Sequence, residues 1–100
     1  MFYVAYYMTA VPGKLDELLQ TTSRLKEVAE ARGAKQLGGF QVALGQHVGG
    51  LLYLVSYENS DVYEAVTAAL KDSTDMKAAA AITATSESAV LQPLSDSPIR

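Results

Sequence analysis

Residues 2–11 form a stretch in which neither side of a strand would be polar. They are dense in β-branched and aromatic types, and the Pro12-Gly13 pair that follows predicts a turn. Successive side chains of a strand point to opposite faces, so the stretch divides into two sets. One set is Phe2, Val4, Tyr6, Met8 and Ala10, and the other is Tyr3, Ala5, Tyr7, Thr9 and Val11. Because neither set is polar, we expect this strand to be covered on both sides.

The rest of the chain alternates between helical and strand patterns. The elements predicted after the first strand are a helix at 14–32, a hairpin of strands at 36–46 and 50–58, a helix that begins after Asn59 or Ser60, an alanine-rich turn at 76–81 and a strand at 82–91. This order is that of the split βαβ arrangement. The sequence therefore predicts one domain over residues 1–100, of class α+β. Its ferredoxin-like βαββαβ fold would have a four-stranded antiparallel sheet with helices on one face.

The hairpin pattern predicts which side chains share a face. In the loop QHVGG, Gly49 supplies the left-handed residue of a three-residue connection, and we expect Gln46 to pair with Gly50. The face expected to carry helices then has Phe40, Val42, Leu44, Leu52 and Leu54. The opposite face has Gly39, Gln41, Ala43, Leu51, Tyr53, Val55 and Tyr57. Because this opposite face is apolar and aromatic, we expect a second copy to cover it, in a face-to-face homodimer that encloses a cavity between two sheets.

Composition fits a globular domain and excludes several classes of function. Of 100 residues, 49% are hydrophobic and 19% are charged. The absence of cysteine and the single histidine exclude disulfides, thiolate chemistry and a histidine-rich metal centre within one chain, and no cofactor is expected. A net charge of −3 does not indicate a basic surface, so nucleic acid and membranes are not expected partners. The opening residues are a poor signal peptide, so we expect a cytoplasmic protein.

The six tyrosines are the most distinctive chemical feature. A phenol in a dry cavity can donate a hydrogen bond to a carbonyl or phenolate ligand, and its ring can stack on an aromatic one. Tyrosine is also a common strand residue that packs in cores and interfaces. The predicted ligand-binding residues are Tyr3, Tyr7, Gln41, Tyr53, Tyr57 and Thr85. The pattern leaves open whether Tyr3 and Tyr7 or Tyr6 point into the cavity.

Two residues are weak candidates for a catalytic base. His47 is the side chain that titrates near neutral pH, although its predicted place at a turn tip is typical of a solvated histidine. Glu87 lies in the last predicted strand, where an enclosed carboxylate could act as a base and an exposed one would block unwanted strand pairing. Because neither belongs to a recognisable acid–base pair, the catalytic residues are unknown, and so is whether the protein is an enzyme.

Three stretches resemble one known family. The opening FYVAYYMTAVPGKLDELL resembles the start of NIPSNAP proteins, in which an apolar, tyrosine-rich strand passes through a Pro-Gly-Lys turn into a leucine-rich helix. The end, ESAVLQPLSDSPIR, is similar to the closing signature of that family, with Pro93-Leu94 followed by Ser97-Pro98. Between them, YLVSYENSDVYEAV is similar in spacing to the third strand and the start of the next helix. The resemblance covers nearly the whole chain and implies a dimeric α+β barrel.

The chain departs from the family pattern where pocket residues are expected. NIPSNAP-like chains tend to place tryptophan in the second strand, histidine and tryptophan in the third, and arginine in the following helix. The matching positions here are Phe40-Gln41-Val42, Tyr53 and Val55, and Tyr63-Glu64. The related haem-degrading and antibiotic-biosynthesis monooxygenases usually carry a histidine where this chain has Val66-Thr67 and Met76. A haem role therefore has no axial ligand unless His47 serves.

Three functions remain open at this point. The first is a homodimer that binds a small, largely apolar ligand, aromatic or polyketide-like, in a tyrosine-lined cavity. The second, which the resemblance permits, is a cofactor-independent monooxygenase or isomerase of the antibiotic-biosynthesis-monooxygenase type. The third is a non-catalytic protein-interaction module. Because the sequence shows no recognisable catalytic acid–base pair, the first function is favoured. The fold alone does not decide among the three functions.

Overall fold

The computed structural model describes residues 1–43 and 49–98, and it confirms the ferredoxin-like α+β fold. Its elements are β1 (Phe2–Ala10), α1 (Leu15–Ala31), β2 (Lys35–Gln41), β3 (Leu51–Tyr57), α2 (Ser60–Lys71), α3 (Thr74–Ile82) and β4 (Thr83–Leu91). The four strands form one antiparallel sheet in the order β2-β3-β1-β4. The predicted alanine-rich turn is part of a full helix, α3. Within the described residues, no helix is long and apolar enough to cross a membrane.

Side-chain caps fix where the two later helices begin. The Asn59 side chain accepts a hydrogen bond from the backbone N–H of Val62 at 2.9 Å, which confirms Asn59 as the cap of α2. Ser73 caps α3 in the same way, accepting from the backbone N–H of Met76 at 3.0 Å. Its hydroxyl also donates to the Leu70 carbonyl of α2 at 2.9 Å. One side chain therefore fixes the break between α2 and α3.

The core lies between the helices and one face of the sheet, in two clusters. Val4, Tyr57 and Val66 are buried in the first cluster, which joins β1, β3 and α2. Leu18 of α1 has no exposed surface and is buried with Leu51 and Ala79 in the second. Burial of a leucine or valine side chain contributes about 1.5–3 kcal/mol, so these contacts dominate the attachment of the helices.

The hairpin register differs from the predicted one by four residues. Phe40 lies opposite Leu52, where the predicted Gln46–Gly50 pairing would place Leu44. Val42 continues this pairing: its N–H donates to the Gly50 carbonyl at 2.9 Å, and its carbonyl accepts from the Gly49 N–H at 2.8 Å. A shift by an even number of residues leaves each side chain in the set with which it was predicted to share a face, because side chains alternate with a period of two. Gly49 has φ +82°, the left-handed conformation that was predicted for it.

The assignment of these sets to the two faces is wrong. The helices pack on the side of Tyr53, Val55 and Tyr57, the set predicted to face a second subunit. The other face, here called the far face, consists of Tyr3, Ala5, Tyr7, Phe40, Leu52 and Leu54. Phe40 was predicted to lie under helices and is 56% exposed.

The physical reason is the reach of the tyrosine side chains. β3 is apolar on both sides, so hydrophobicity alone does not select the side that the helices cover. The Tyr53 hydroxyl reaches Thr22 of α1, with 2.9 Å between the two oxygens. The Tyr57 ring meets Tyr63 of α2 edge to face, with 5.1 Å between the ring centroids. The large rings thus fill the space between helix and strand.

Candidate functional site

A cavity of about 460 Å³ lies between the helices and the sheet. Its floor is β1, β3 and one residue of β2, and its walls are α1, α2 and the first turn of α3. The lining residues are Tyr6, Met8, Thr22, Leu25, Lys26, Ala29, Gln36, Tyr53, Val55, Tyr57, Tyr63, Val66, Thr67, Leu70, Lys71 and Met76. Apolar walls with a few polar groups are typical of sites for small organic ligands, and the volume lies in the usual range.

Two phenols form a hydrogen-bonded pair in the cavity. The Tyr6 and Tyr57 hydroxyl oxygens are 2.7 Å apart across β1 and β3. Burial raises the pKa of the Tyr6 hydroxyl far above its ordinary value, and the hydrogen bond to Tyr57 adds to the rise. Burial also raises the pKa of Tyr57, while its bond to Tyr6 acts in the opposite direction. Both phenols therefore keep their protons at neutral pH.

The paired phenols have one hydrogen-bond donor to spare. Two hydroxyls hold two protons, and the bond between Tyr6 and Tyr57 uses one of them. The other proton is available to an acceptor in the cavity. The Tyr57 ring is held in place by Phe2, stacked at 5.5 Å between centroids, and by Tyr63. The Tyr57 hydroxyl is therefore held in a fixed position at the cavity.

Tyr53, another of the four tyrosines that line the cavity, uses its hydroxyl proton in a hydrogen bond within the protein. The Thr22 hydroxyl donates to the Leu19 carbonyl at 3.1 Å, as threonine often does within a helix. Its oxygen is then the acceptor for Tyr53 at 2.9 Å. Gly39 lies beside this ring: a Cβ at Gly39 would come within 3.1 Å of it. Glycine at this position leaves room for the Tyr53 ring.

A β-bulge adds Gln36 to the cavity. In the pairing of β2 with β3, Gln36 lies opposite Val55 and Gly38 opposite Leu54, so Leu37 is an extra residue. Without the bulge, residue 36 would fall on the far face. The bulge turns the Gln36 amide toward the helices, where it lines the cavity.

The residues predicted to bind a ligand do not all meet at this cavity. Tyr53 and Tyr57 line it. Tyr3 and Tyr7 lie on the far face, and so does Thr85, which pairs with Thr9 through a hydroxyl contact of 2.6 Å. Gln41 shares the side of Leu51 but is exposed and lies outside the lining. The predicted cavity between two subunits needs a second copy and stays a prediction.

The two weak candidates for a base are not part of the cavity described. Glu87 lies opposite Tyr7 in the β1–β4 pairing, on the far face. His47 lies outside the described residues. Across residues 1–43 and 49–98, no group of three potential metal ligands among His, Cys, Asp and Glu comes together.

Sequence reasoning missed several lining residues, and two of them had a signal. Tyr6 belongs to the alternative set of the first strand, and the apolar helical stripe of α2 at Val66 and Leu70 extends back to Tyr63 at helical spacing. Thr22 and Gln36 had none, because a single polar residue in a helix or beside a bulge looks like an exposed one. Only the tertiary contacts identify them.

The comparisons with known proteins agree on family and fold. A family model described as NIPSNAP matches residues 4–98. No match was found among curated protein sequences. The chain is similar to the structure of a NIPSNAP domain protein from Burkholderia xenovorans, with 17% identity, a TM-score of 0.75 and coverage of 98% of this chain and 99% of that one.

Two further structures extend the comparison. A NIPSNAP family protein from Agrobacterium tumefaciens has 18% identity and a TM-score of 0.78, with 100% of both chains covered. A structure named antibiotic biosynthesis monooxygenase has 11% identity and a TM-score of 0.68, with 94% of this chain and 99% of that chain covered. At these identities, the likeness shows the fold: this chain has the α+β fold of that monooxygenase.

Proposed function

The chain belongs to the NIPSNAP family, and on that premise we propose that it binds a small, largely apolar ligand, aromatic or polyketide-like, in the cavity between its helices and its sheet. The observation that carries the proposal is the cavity of about 460 Å³ with aliphatic and aromatic walls. Among its polar groups, the hydroxyls of Tyr6, Tyr57 and Tyr53 are held by hydrogen bonds, as the polar groups of sites for small organic molecules commonly are.

The phenols indicate a second property of the ligand, namely a hydrogen-bond acceptor. The spare donor of the Tyr6–Tyr57 pair suits a carbonyl or other oxygen acceptor on the ligand. A neutral phenol in an apolar cavity donates a hydrogen bond more effectively than one exposed to water, because fewer water molecules compete. A ligand with an aromatic body and at least one carbonyl oxygen therefore fits this site.

Catalysis is the second candidate function, because the chain shares the fold of an antibiotic biosynthesis monooxygenase. A cofactor-independent oxygenase or isomerase needs a base to remove a proton from its substrate. The described lining residues include no carboxylate, and the paired phenols keep their protons. We therefore favour binding over catalysis. If a ligand extracted from the protein gains one oxygen atom and loses two hydrogen atoms after incubation with the protein in air, the second candidate is preferred. The second oxygen atom of O2 then leaves as water, with both hydrogens and both electrons supplied by the ligand.

We also propose that two copies of the chain pack together through the far face. Phe40, Leu52 and Leu54 form an apolar patch there, and Phe40 is largely exposed. A two-fold dimer needs only one such self-complementary patch. Packing of the two sheets would also create the intersubunit cavity predicted for Tyr3, Tyr7 and Thr85.

Mapping by NMR tests the binding proposal directly. The probe is N-phenyl-1-naphthylamine, a neutral aromatic amine, titrated into ¹⁵N-labelled protein. We expect amide shifts to change at Thr22, Ala29 and Thr67, which line the cavity. Amides of β4, such as Ser86 and Ala89, are the internal control, because β4 contributes no lining residue. Changes confined to β4 and the far face, or no changes, would contradict the proposal.

A further inference from the structure

The cavity has two lysines at its opening. Lys26 of α1 and Lys71 of α2 both line it, while all the remaining lining residues are uncharged types. Both lysines are exposed overall, so their ammonium groups reach water while their methylene stems cover apolar wall. The positive charges are therefore at the mouth rather than in the interior.

These charges are poorly neutralised by the protein. Lys26 lies 3.6 Å from a Glu30 carboxylate oxygen, with both side chains 45% exposed, a geometry in which an ion pair is weak. Lys71 forms no ion pair with any described residue. The chain as a whole has a net charge of −3, so the positive charge at the cavity mouth is opposite in sign to the net charge of the chain.

From this we propose, resting on the proposed binding function, that the ligand of the cavity is an organic acid. Its apolar, aromatic part occupies the cavity and its anionic group lies at the mouth, between the ammonium groups of Lys26 and Lys71. The anion stays in contact with water there, so binding does not require the desolvation that a buried charge would cost. The same two charges disfavour an organic cation of equal size.

Two probes that share one aromatic scaffold separate the charge from the apolar contacts. 1-Anilinonaphthalene-8-sulfonate carries an anionic group, and N-phenyl-1-naphthylamine lacks it. Both are titrated by fluorescence into the wild type and the double variant Lys26→Gln/Lys71→Gln. We expect the variant to bind the sulfonate roughly tenfold more weakly, which corresponds to two partly exposed charge interactions, and to bind the neutral probe unchanged.

A matched control variant removes the same charge elsewhere. Lys14→Gln/Lys77→Gln also removes two lysines: Lys14, which directly precedes α1 and pairs with Glu17 at 3.1 Å, and Lys77, which is exposed on α3. Neither lysine lines the cavity. We expect its affinity for both probes to equal that of the wild type. If the sulfonate binds the Lys26/Lys71 variant as tightly as the wild type, or if the control loses as much affinity, the acid proposal is wrong. Failure of the neutral probe to bind the wild type would instead contradict the binding function itself.

Discussion

At the scale of single residues, the hydroxyls of Tyr6 and Tyr57 decide what the cavity can recognise. Either phenol alone still offers one proton, so a single Tyr57→Phe change leaves a donor on Tyr6. The double variant Tyr6→Phe/Tyr57→Phe removes the donor and keeps both rings in the core. Substituting both partners of a hydrogen bond also avoids leaving one of them buried without a partner. The double variant is therefore the sharper test of the donor.

We expect the double variant to bind a carbonyl-bearing probe less tightly. The probe is Prodan, a neutral naphthalene with a ketone, and the comparison probe is N-phenyl-1-naphthylamine, which has no carbonyl. Loss of one hydrogen bond should weaken Prodan binding about threefold to tenfold. Affinity for the amine should not change. Equal loss for the two probes would show that the hydroxyls serve packing rather than recognition.

The same pair predicts a dependence of stability on alkaline pH. Because burial raises the pKa of both phenols in the folded chain, the unfolded chain loses these protons first, near pH 10. The contribution of the two protonated phenols to the free energy of unfolding is therefore complete below about pH 10, and it is lost as the pH rises further. Urea unfolding of the wild type from about pH 8 to 11 should show this fall, and Tyr6→Phe/Tyr57→Phe should show a shallower one. Parallel curves for the two proteins would contradict the assignment.

At the scale of elements, the junction of α2 and α3 controls one wall of the cavity. Ser73 bonds to both helices, and α3 brings Met76 to the cavity. Removal of a serine cap costs about 1 kcal/mol, and here the loss should fall mainly on the short helix α3. We expect Ser73→Ala to speed amide hydrogen exchange in α3 and to leave α1 unchanged. Thr74→Ala, at the exposed first residue of α3, is the control and should exchange like the wild type.

The sequence predicts the elements well because their signals are local. The helix of residues 14–32, a cap at Asn59 or Ser60 and the left-handed Gly49 each depend on neighbours in the chain. All three are found, with Asn59 as the cap. The covered face of β3 could not be predicted in this way. With leucine on one side and tyrosine on the other, the choice depends on whether Tyr53 and Tyr57 find partners on the helices.

The cavity was harder still to predict, because it depends on contacts between distant elements. Thr22 becomes a lining residue through a partner 31 residues away in the chain. Gln36 enters through the bulge at Leu37, which changes the face of the residues before it. The sequence predicted a tyrosine-lined cavity between two subunits, and that cavity stays a prediction. Tyr53 and Tyr57, which were predicted to face it, line a different cavity under the helices. Alternation along a strand shows which residues share a face of the sheet, but it does not show which element of the structure covers that face.

At the scale of the whole molecule, the proposed ligand binding and the proposed assembly involve opposite faces of the sheet. The helix-covered face holds the two core clusters and the cavity, so the exposed part of the far face around Phe40 can take part in association without competing for the same side chains. A dimer formed there would leave the mouth at Lys26 and Lys71 unobstructed by the interface, because both lysines belong to the helices. Binding in the helix-covered cavity and assembly are then separable by mutation.

Phe40→Glu tests assembly at that face. In a two-fold interface each substitution occurs twice, so two carboxylates would be desolvated, which strongly disfavours association. We expect the wild type to sediment as a dimer and Phe40→Glu as a monomer that still binds N-phenyl-1-naphthylamine. Leu19→Glu is the control, because Leu19 is an exposed leucine of α1, 41% accessible, away from the far face. A monomeric wild type, or a Phe40→Glu protein of unchanged mass, would rule out assembly through this face.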